Sequence, residues 1–247
     1  MRETRLIMGM PITVDVIGDI DGAAREAAFQ YFQAVDARFS PYKADSELSA
    51  MNRGELSLEA LSPQMREILG LAELTRHETN GYFDIRRPDG RVDPSGLVKG
   101  WAIRNAARRI EALDFVDYCV EAGGDLQCRG HNEQGQLWRL GIRNPFDQSQ
   151  IVKILTPGDC GVATSGAYVR GPHIYDPHTH AAATDAVASL TVVARDIYDA
   201  DRFATAAFAM GRDGIGFIES IPGLEGYAID RDGVATLSSG LNRVVAP

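Results

Sequence analysis

The segment DADRFATAAFAMG, residues 199–211, is the stretch around which the rest of the chain must be arranged. Its pattern predicts a helix, in which the alanines let another backbone approach closely and Phe203 and Phe208 anchor the helix in a core. Asp201 and Thr205 are four residues apart, so they share one face of a helix with 3.6 residues per turn. A carboxylate and a hydroxyl on a rigid helix suit a small, hard cation such as Mg²⁺.

The same pair also has a purely structural explanation, which this segment alone leaves open. Asp201 lies near the N-terminus of the predicted helix, where the helix dipole favours a carboxylate. Thr205 can bond back to the carbonyl group four residues earlier. The remaining sequence has to decide between a metal site and ordinary helix chemistry.

Composition indicates an ordinary globular protein. The 247 residues are 45% hydrophobic and 24% charged, with a net charge of -9. This negative charge argues against a nucleic-acid partner that needs a broad basic surface. No segment approaches the roughly 20 apolar residues of a membrane span, and the start lacks a signal-peptide pattern. Because Cys119, Cys128 and Cys160 never form a CxxC motif, we expect buried, reduced thiols and a cytoplasmic location.

Helices and strands are intermixed along the whole chain, which predicts an α+β fold and one domain over residues 1–247. Predicted helices cover residues 23–39, 62–80, 97–113, 199–211 and 215–221. Predicted strands cover residues 5–17, several segments between 115 and 166, residues 189–196, and a hairpin at 227–237 with its turn at Asp232-Gly233. Residues 39–54 are predicted to be a loop, and Gly123-Gly124 to be a bulge or a close backbone approach.

Two further segments carry candidate chemistry. The turn DPSG, residues 93–96, feeds a helix whose N-terminus and Lys99 favour an anion; the alternative is a Ser95 cap with Lys99 in solvent. The segment HIYDPHTH, residues 173–180, lacks the helical spacing of a metal-binding HExxH motif. A loop histidine beside an aspartate suits a general base, and solvated imidazoles on a surface loop are the alternative.

Several short motifs occur in one familiar order. They are MGMPITV (8–14), FSPYKADSELSAMN (39–52), NGYFD (80–84), VDPSGLVKGWA (92–102), EAGGDLQCRG (121–130), GVATSGAYVRG (161–171), HIYDP (173–177) and the helix at 199–211. In this combination the chain resembles the ApbE family, the FAD:protein FMN transferases. The resemblance implies an ApbE-like, T-fold-type α+β architecture of mixed, largely antiparallel sheets flanked by helices, with a flavin cleft between two intimate lobes.

The resemblance also implies roles for individual residues. Mg²⁺ would be bound by Asp201, Thr205 and the backbone oxygen of Gly96, and His173 is the expected catalytic residue. The residues expected to hold FAD are Met8, Tyr42, Tyr82, Phe83, Asp84, Asp93, Lys99 and Ser165. The sequence departs from the family pattern after Asp84, where the segment leading to the DPSG turn is short, and at His178-Thr179-His180, which replaces the usual RTG.

The expected reaction is magnesium-dependent transfer of FMN from FAD to a threonine or serine hydroxyl of a client protein, with release of AMP. One alternative is a magnesium-dependent FAD pyrophosphatase, which would use water and give FMN and AMP. An alternative of another class is a flavin-binding or carrier protein without turnover. The sequence leaves all three open and does not identify the client.

Overall fold

A computed structural model describes residues 1–166, 175–179 and 186–246 of the chain. Its main feature is an open eight-stranded sheet in the order β1-β2-β3-β4-β7-β8-β9-β10, and every neighbouring pair in it is antiparallel. Strands β5 and β6 form a separate antiparallel hairpin. Helices cover one side of the large sheet, so the α+β fold and its largely antiparallel sheet are confirmed.

The elements have the following bounds. The strands are β1 Arg2–Ile7, β2 Met10–Val16, β3 Tyr118–Ala122, β4 Asp125–Arg129, β5 Leu140–Arg143, β6 Ile151–Leu155, β7 Cys160–Gly166, β8 Val187–Ala194, β9 Glu225–Asp230 and β10 Ala235–Leu237. The helices are α1 Ala23–Phe39, α2 Glu47–Asn52, α3 Pro63–Glu78, α4 Ser95–Glu111, α5 Ile197–Ala209 and α6 Gly214–Ser220. Three short 3-10 turns complete the described elements.

Two hydrophobic clusters lie on the two sides of the large sheet. Strand β9 shows the division, since Ala228 belongs to the cluster under the helices, whereas Tyr227 and Ile229 belong to the other. Successive strand residues point to opposite faces, so one strand serves both clusters. The second cluster is smaller, and the β5–β6 hairpin covers it with Leu140 and Ile142. The sheet therefore separates a helical layer from a hairpin layer.

The helix ends follow from local sequence. The Ser62 side chain accepts the Met65 backbone N–H, and Pro63 occupies the first turn of α3, as the sequence predicts. After α3 the chain leaves the helix through Asn80 and Gly81, both with positive φ. Helix α4 begins at Ser95, two residues before its predicted start, because the DPSG turn already belongs to its first turn.

Three details of the predicted secondary structure are wrong. The strand expected at residues 5–17 is two strands joined by a tight turn at Met8 and Gly9, both with positive φ. Gly123-Gly124 is the turn between β3 and β4 and not a bulge within one strand. The loop expected at residues 39–54 contains helix α2, whose N-cap Ser46 accepts the backbone N–H of Ser49.

The cysteines also differ from expectation. Cys119 on β3 and Cys128 on β4 are direct cross-strand partners and form a disulfide, so two of the three thiols predicted to be reduced are paired. Cys160 on β7 lies opposite Cys128 and is a free, buried thiol. The sequence missed the pairing because neither cysteine belongs to a spacing motif; the bond depends on the register of two strands.

Helix α5 is packed unusually closely through glycines of three neighbouring elements. A Cβ on Gly100 of α4 would lie 2.6 Å from the Asp201 Cβ. On Gly161 of β7 it would lie 2.2 Å from the Ile197 nitrogen, and on Gly214 of α6 it would lie 1.9 Å from the Ala207 oxygen. At these three positions there is no room for a side chain larger than the hydrogen of glycine. Helix α5 is thereby fixed near its start, its middle and its end.

Within residues 1–166, 175–179 and 186–246, each helix is too short or too polar to cross a membrane.

Candidate active site

A cleft of about 370 Å³ lies where the helical layer, the large sheet and the hairpin meet. Side chains from distant parts of the sequence line it, from Tyr42 before α2 to Thr205 on α5. Ten of the twelve residues predicted for the site line this cleft: Tyr42, Tyr82, Phe83, Asp84, Asp93, Gly96, Lys99, Ser165, Asp201 and Thr205. The fold thus assembles one site from segments that the sequence shows only as separate motifs.

Two predicted site residues do not belong to this group. Met8 lies in the β1–β2 turn and packs against the larger hydrophobic cluster, and it is not among the described residues that line the cleft. His173 lies outside the described residues, as does His180.

Three oxygen-bearing groups meet between helices α4 and α5. The Thr205 hydroxyl donates to the backbone oxygen of Gly96 at 3.4 Å. It therefore bonds to α4 and not to the carbonyl group four residues earlier in its own helix. Asp201 is 3% exposed, and its Oδ2 accepts the Gly100 backbone N–H at 2.7 Å. The close approach of the helices depends on glycine, since a Cβ on Gly96 would lie 3.1 Å from Thr205 Cγ2.

A buried charge cluster surrounds Asp201. Lys99 on α4 places its Nζ 2.5 Å from Asp125 Oδ2 and 3.8 Å from Asp201 Oδ1. Burial raises the pKa of the Asp201 carboxyl to about 7, the Lys99 ammonium opposes that rise, and Asp125 adds to it. Lys99 is therefore held between two carboxylates, and the alternative with Lys99 in solvent is wrong.

The segment after α3 builds the opposite wall of the cleft. Phe83 is buried and donates its backbone N–H to Thr79 Oγ1, which fixes the wall to the end of α3. The Tyr82 ring meets the His178 ring edge-on with centroids 4.6 Å apart. His178 thus braces the aromatic part of the wall.

Acidic side chains at the mouth of the cleft are held by neighbouring arginines. Asp93 pairs with Arg87 at 3.0 Å and also accepts the Ser95 hydroxyl at 2.5 Å. Asp84 lies 3.8 Å from an Arg86 nitrogen. The short segment after Asp84 therefore forms a compact, charge-paired edge. Tyr42 stands at the same cleft with 96% of its surface exposed.

Several residues that line the cleft were not singled out from the sequence, among them Asp125, Tyr175 and Arg143. Asp125 is 2% exposed and accepts the Thr164 backbone N–H at 3.0 Å. It belongs to the EAGGD motif, so its position in that motif was an available signal. Tyr175 donates its hydroxyl to the Arg86 backbone oxygen. Arg143 comes from β5, whose sequence gives no sign of a site.

The donors present fit a hard cation. Asp201, Thr205 and Gly96 offer a carboxylate, a hydroxyl and a carbonyl oxygen, and all three line the cleft. Magnesium takes oxygen ligands and commonly uses only one or two carboxylates. The described residues contain no group of three or more His, Cys, Asp or Glu side chains that could hold a metal.

The architecture is that of flavin transferases of known structure. The flavin transferase ApbE from Vibrio cholerae superposes with a TM-score of 0.86 and 26% identity, over 99% of this chain and 98% of that one. The ApbE protein of Thermotoga maritima superposes with a TM-score of 0.88 over 100% and 99% of the two chains, and at 19% identity this likeness concerns the fold alone. The chain belongs to the ApbE family, whose model matches residues 8–87 and 85–228.

Curated relatives match a shorter part of the sequence. The FAD:protein FMN transferase of Vibrio cholerae is 36% identical over 104 residues, which are 42% of this chain and 30% of that protein. The protein of the same name from Salmonella typhimurium is 36% identical over 102 residues, or 40% and 29% of the two chains. The match thus spans under a third of the length of each of these relatives.

Proposed function

We propose that this chain transfers FMN from FAD to a threonine or serine hydroxyl of a client protein and releases AMP. The observation that carries the proposal is the meeting of Asp201, Thr205 and the Gly96 carbonyl at one wall of a cleft whose other wall is aromatic. An oxygen set for a cation beside a surface for a flat ring suits a flavin dinucleotide, which joins such a ring to a diphosphate.

We propose that Mg²⁺ is bound by Asp201, Thr205 and the Gly96 backbone oxygen. When bound, the ion would supply positive charge to the phosphate oxygens of FAD. Helix α5 holds the carboxylate and the hydroxyl rigidly, because its glycine contacts leave no space for it to shift. Preorganised groups of this kind lower the barrier of phosphoryl transfer mainly by positioning and electrostatics.

The remaining predicted residues would hold the flavin. Phe83 and Tyr82 offer ring surfaces, and Tyr42 stands exposed where it can cover a bound ring. Asp84, Asp93 and Ser165 offer polar groups at the same cleft, and Lys99 adds positive charge. Met8 packs against the larger hydrophobic cluster and is not among the described residues that line the cleft, so its proposed contact with FAD comes from the family resemblance alone.

The covalent step would proceed as follows. The client hydroxyl oxygen forms a bond to the phosphorus of the FMN half, and the bond from that phosphorus to the bridging oxygen breaks. AMP leaves with the bridging oxygen. The hydroxyl proton goes to His173, the general base proposed from the HIYDP motif.

Incubation of the purified protein with FAD and MgCl₂, with and without a co-purified candidate client, tests the proposal. Transfer would give AMP together with client-bound flavin, detected by chromatography and by intact-protein mass spectrometry. Free FMN with AMP and no bound flavin would instead establish the pyrophosphatase, and intact bound FAD would establish the carrier. The Asp201→Asn variant is the matched control, because it keeps the side-chain volume and removes the charge.

We also propose that residues 1–247 act as one domain, because the cleft takes side chains from both halves of the chain. The cytoplasmic location stays a prediction. The prediction of a cytoplasmic location was based in part on three reduced cysteines. The Cys119–Cys128 disulfide means that only Cys160 still supports it. Fractionation of cells that produce the tagged chain would test the location.

A further inference from the structure

The β5–β6 hairpin borders the cleft, yet the proposed flavin and metal contacts do not use it. Gly141 and Arg143 on β5 both line the cleft. They are two residues apart, so they point to the same side of the strand. Their neighbours Leu140 and Ile142 are buried in the second hydrophobic cluster. The hairpin therefore presents one face to the cleft and packs the other against the sheet.

The side of the hairpin that borders the cleft also carries exposed apolar side chains. Ile151 is 50% exposed and Ile154 is 38% exposed. Ile151 lies over Gly141, since a Cβ there would lie 2.9 Å from the Ile151 Cδ1. We call Gly141, Arg143, Ile151 and Ile154 the hairpin face. Apolar side chains grouped beside a cleft are typical of a surface that a partner covers.

One edge of the hairpin is open in the described part of the chain. Strand β5 pairs with β6 and with no other described strand. On the far side of β6, Thr156 donates its backbone N–H to the Val244 oxygen and Ile154 accepts the Ala246 N–H, so the C-terminal segment partly covers that edge. An open edge offers unpaired backbone groups, to which an extended segment of another chain can add as a strand.

The hairpin strands are basic although the chain as a whole is acidic. Residues 137–144 and 151–155 contain Arg139, Arg143 and Lys153 and no acidic residue, whereas the whole chain has 34 acidic and 25 basic residues. The connecting loop contains Asp147. No carboxylate of the described residues forms an ion pair with Arg143, which lines the cleft. Arg143 at the cleft complements an acidic partner, whereas Lys153 lies over the Tyr227 ring on the side that faces the sheet.

We propose that the hairpin face and the open edge of β5 bind the acceptor segment of the client as an extended, acidic strand. This inference rests on the proposed transferase function, which requires a hydroxyl of another protein to enter the cleft. Strand addition along β5 would bring that hydroxyl to the cleft beside Gly141, with Arg143 paired to an acidic side chain of the same segment. Ile151 and Ile154 would pack against its apolar side chains.

A displayed library of 15-residue peptides tests the proposal without a known client. Each peptide has one central threonine and randomised flanks, and the library is incubated with FAD and MgCl₂. Peptides that acquire covalent flavin are sorted by flavin fluorescence and sequenced. The wild-type protein should enrich aspartate and glutamate over lysine and arginine in the flanks. Arg143→Glu should reverse that preference, with about a tenfold change in the acidic-to-basic ratio.

Two further variants complete the test. Arg108→Glu changes an exposed arginine near the C-terminal end of α4, whose N-terminal turn lines the cleft, and should leave the preference of the wild type unchanged. Ile151→Ser should lower the flavinylation rate of the enriched peptides, while the dissociation constant for FAD, measured by flavin fluorescence, stays within about twofold of wild type.

The outcomes separate this inference from the proposed function. Flavinylated peptides without an acidic bias, or with a bias that Arg143→Glu leaves intact, would overturn the docking surface and leave the transferase standing. Release of AMP with free FMN and no flavinylated peptide would overturn the docking surface, and the assay with the co-purified client would then decide between the transferase and the pyrophosphatase. A loss of FAD affinity in Arg143→Glu would assign Arg143 to the flavin instead. Absence of both AMP and bound flavin would refute the transferase itself.

Discussion

Replacement of Gly100 by alanine should disturb the site through the packing of two helices. The new Cβ would lie 2.6 Å from the Asp201 Cβ, 2.9 Å from the Ile197 backbone oxygen and 3.0 Å from Asp201 Oδ2. The two nearest of these atoms are a Cβ and a backbone oxygen, which cannot move aside by a change of rotamer. Helix α5 therefore has to move away from α4, and the contact between the Gly100 N–H and Asp201 Oδ2 must lengthen or break.

Two opposing terms set the size of the effect. Overpacking of a tight core costs about 1–3 kcal/mol, and the rigid neighbours here favour the upper end of that range. Alanine in a helix interior recovers roughly 0.5–1 kcal/mol relative to glycine. The net loss in the free energy of unfolding is then about 1–2 kcal/mol, which for a chain of this length lowers Tm by roughly 2–8 °C.

Gly70→Ala is the matched control. Gly70 lies within α3, and a Cβ there would meet nothing within 4 Å. This variant should raise Tm by about 1–4 °C, because only the gain in helix propensity remains. Thermal unfolding of the two variants, together with AMP release from FAD and MgCl₂, measures both effects. Equal stability and turnover of Gly100→Ala and wild type would refute the assigned role of this helix contact.

Four further predictions concern the cleft and the cysteines. Asp201→Asn should lower AMP release from FAD at millimolar MgCl₂ by roughly 100-fold or more, as followed by chromatography. Thr205→Val should weaken Mg²⁺ activation by about ten- to a hundredfold, whereas Thr205→Ser retains most of it, as a MgCl₂ titration would show. Asp125→Asn should lower the free energy of unfolding by ~3 kcal/mol, and the Lys99→Met/Asp125→Asn double variant should recover much of that loss in denaturant titrations. Since burial raises the pKa of the Cys160 thiol to about 12, iodoacetamide at pH 8 should label Cys160 only in denaturant, as peptide mass spectrometry would detect.

Local signals predicted the helices better than the turns. Ser62 and Pro63 mark the start of α3 because capping depends on only a few neighbouring residues. The β1–β2 turn escaped prediction because Met8 adopts a positive φ that favours glycine or asparagine. The Cys119–Cys128 pair likewise depends on strand register, which sequence spacing does not reveal.

The residues of the candidate site likewise include some that the sequence predicts and some that only the fold reveals. Asp201 and Thr205 could be placed on one helix face because their spacing has meaning within one helix, and both line the cleft. The Gly96 carbonyl, by contrast, was reached through a family resemblance, since only tertiary packing brings it to the Thr205 hydroxyl. Arg143 carries no local signal and comes to the cleft through the hairpin layer. Chemistry within one element was readable from sequence, and chemistry between elements required the fold.

Lys99 has a bearing on how the protein behaves when divalent ions are withdrawn. Its ammonium group already stands between the carboxylates of Asp125 and Asp201, so the mutual repulsion of these two buried acids is relieved from within the chain. A small zinc domain collapses under a chelator because the ion is its only source of such relief. Here EDTA should abolish AMP release without changing Tm, which separates loss of catalysis from loss of the native state.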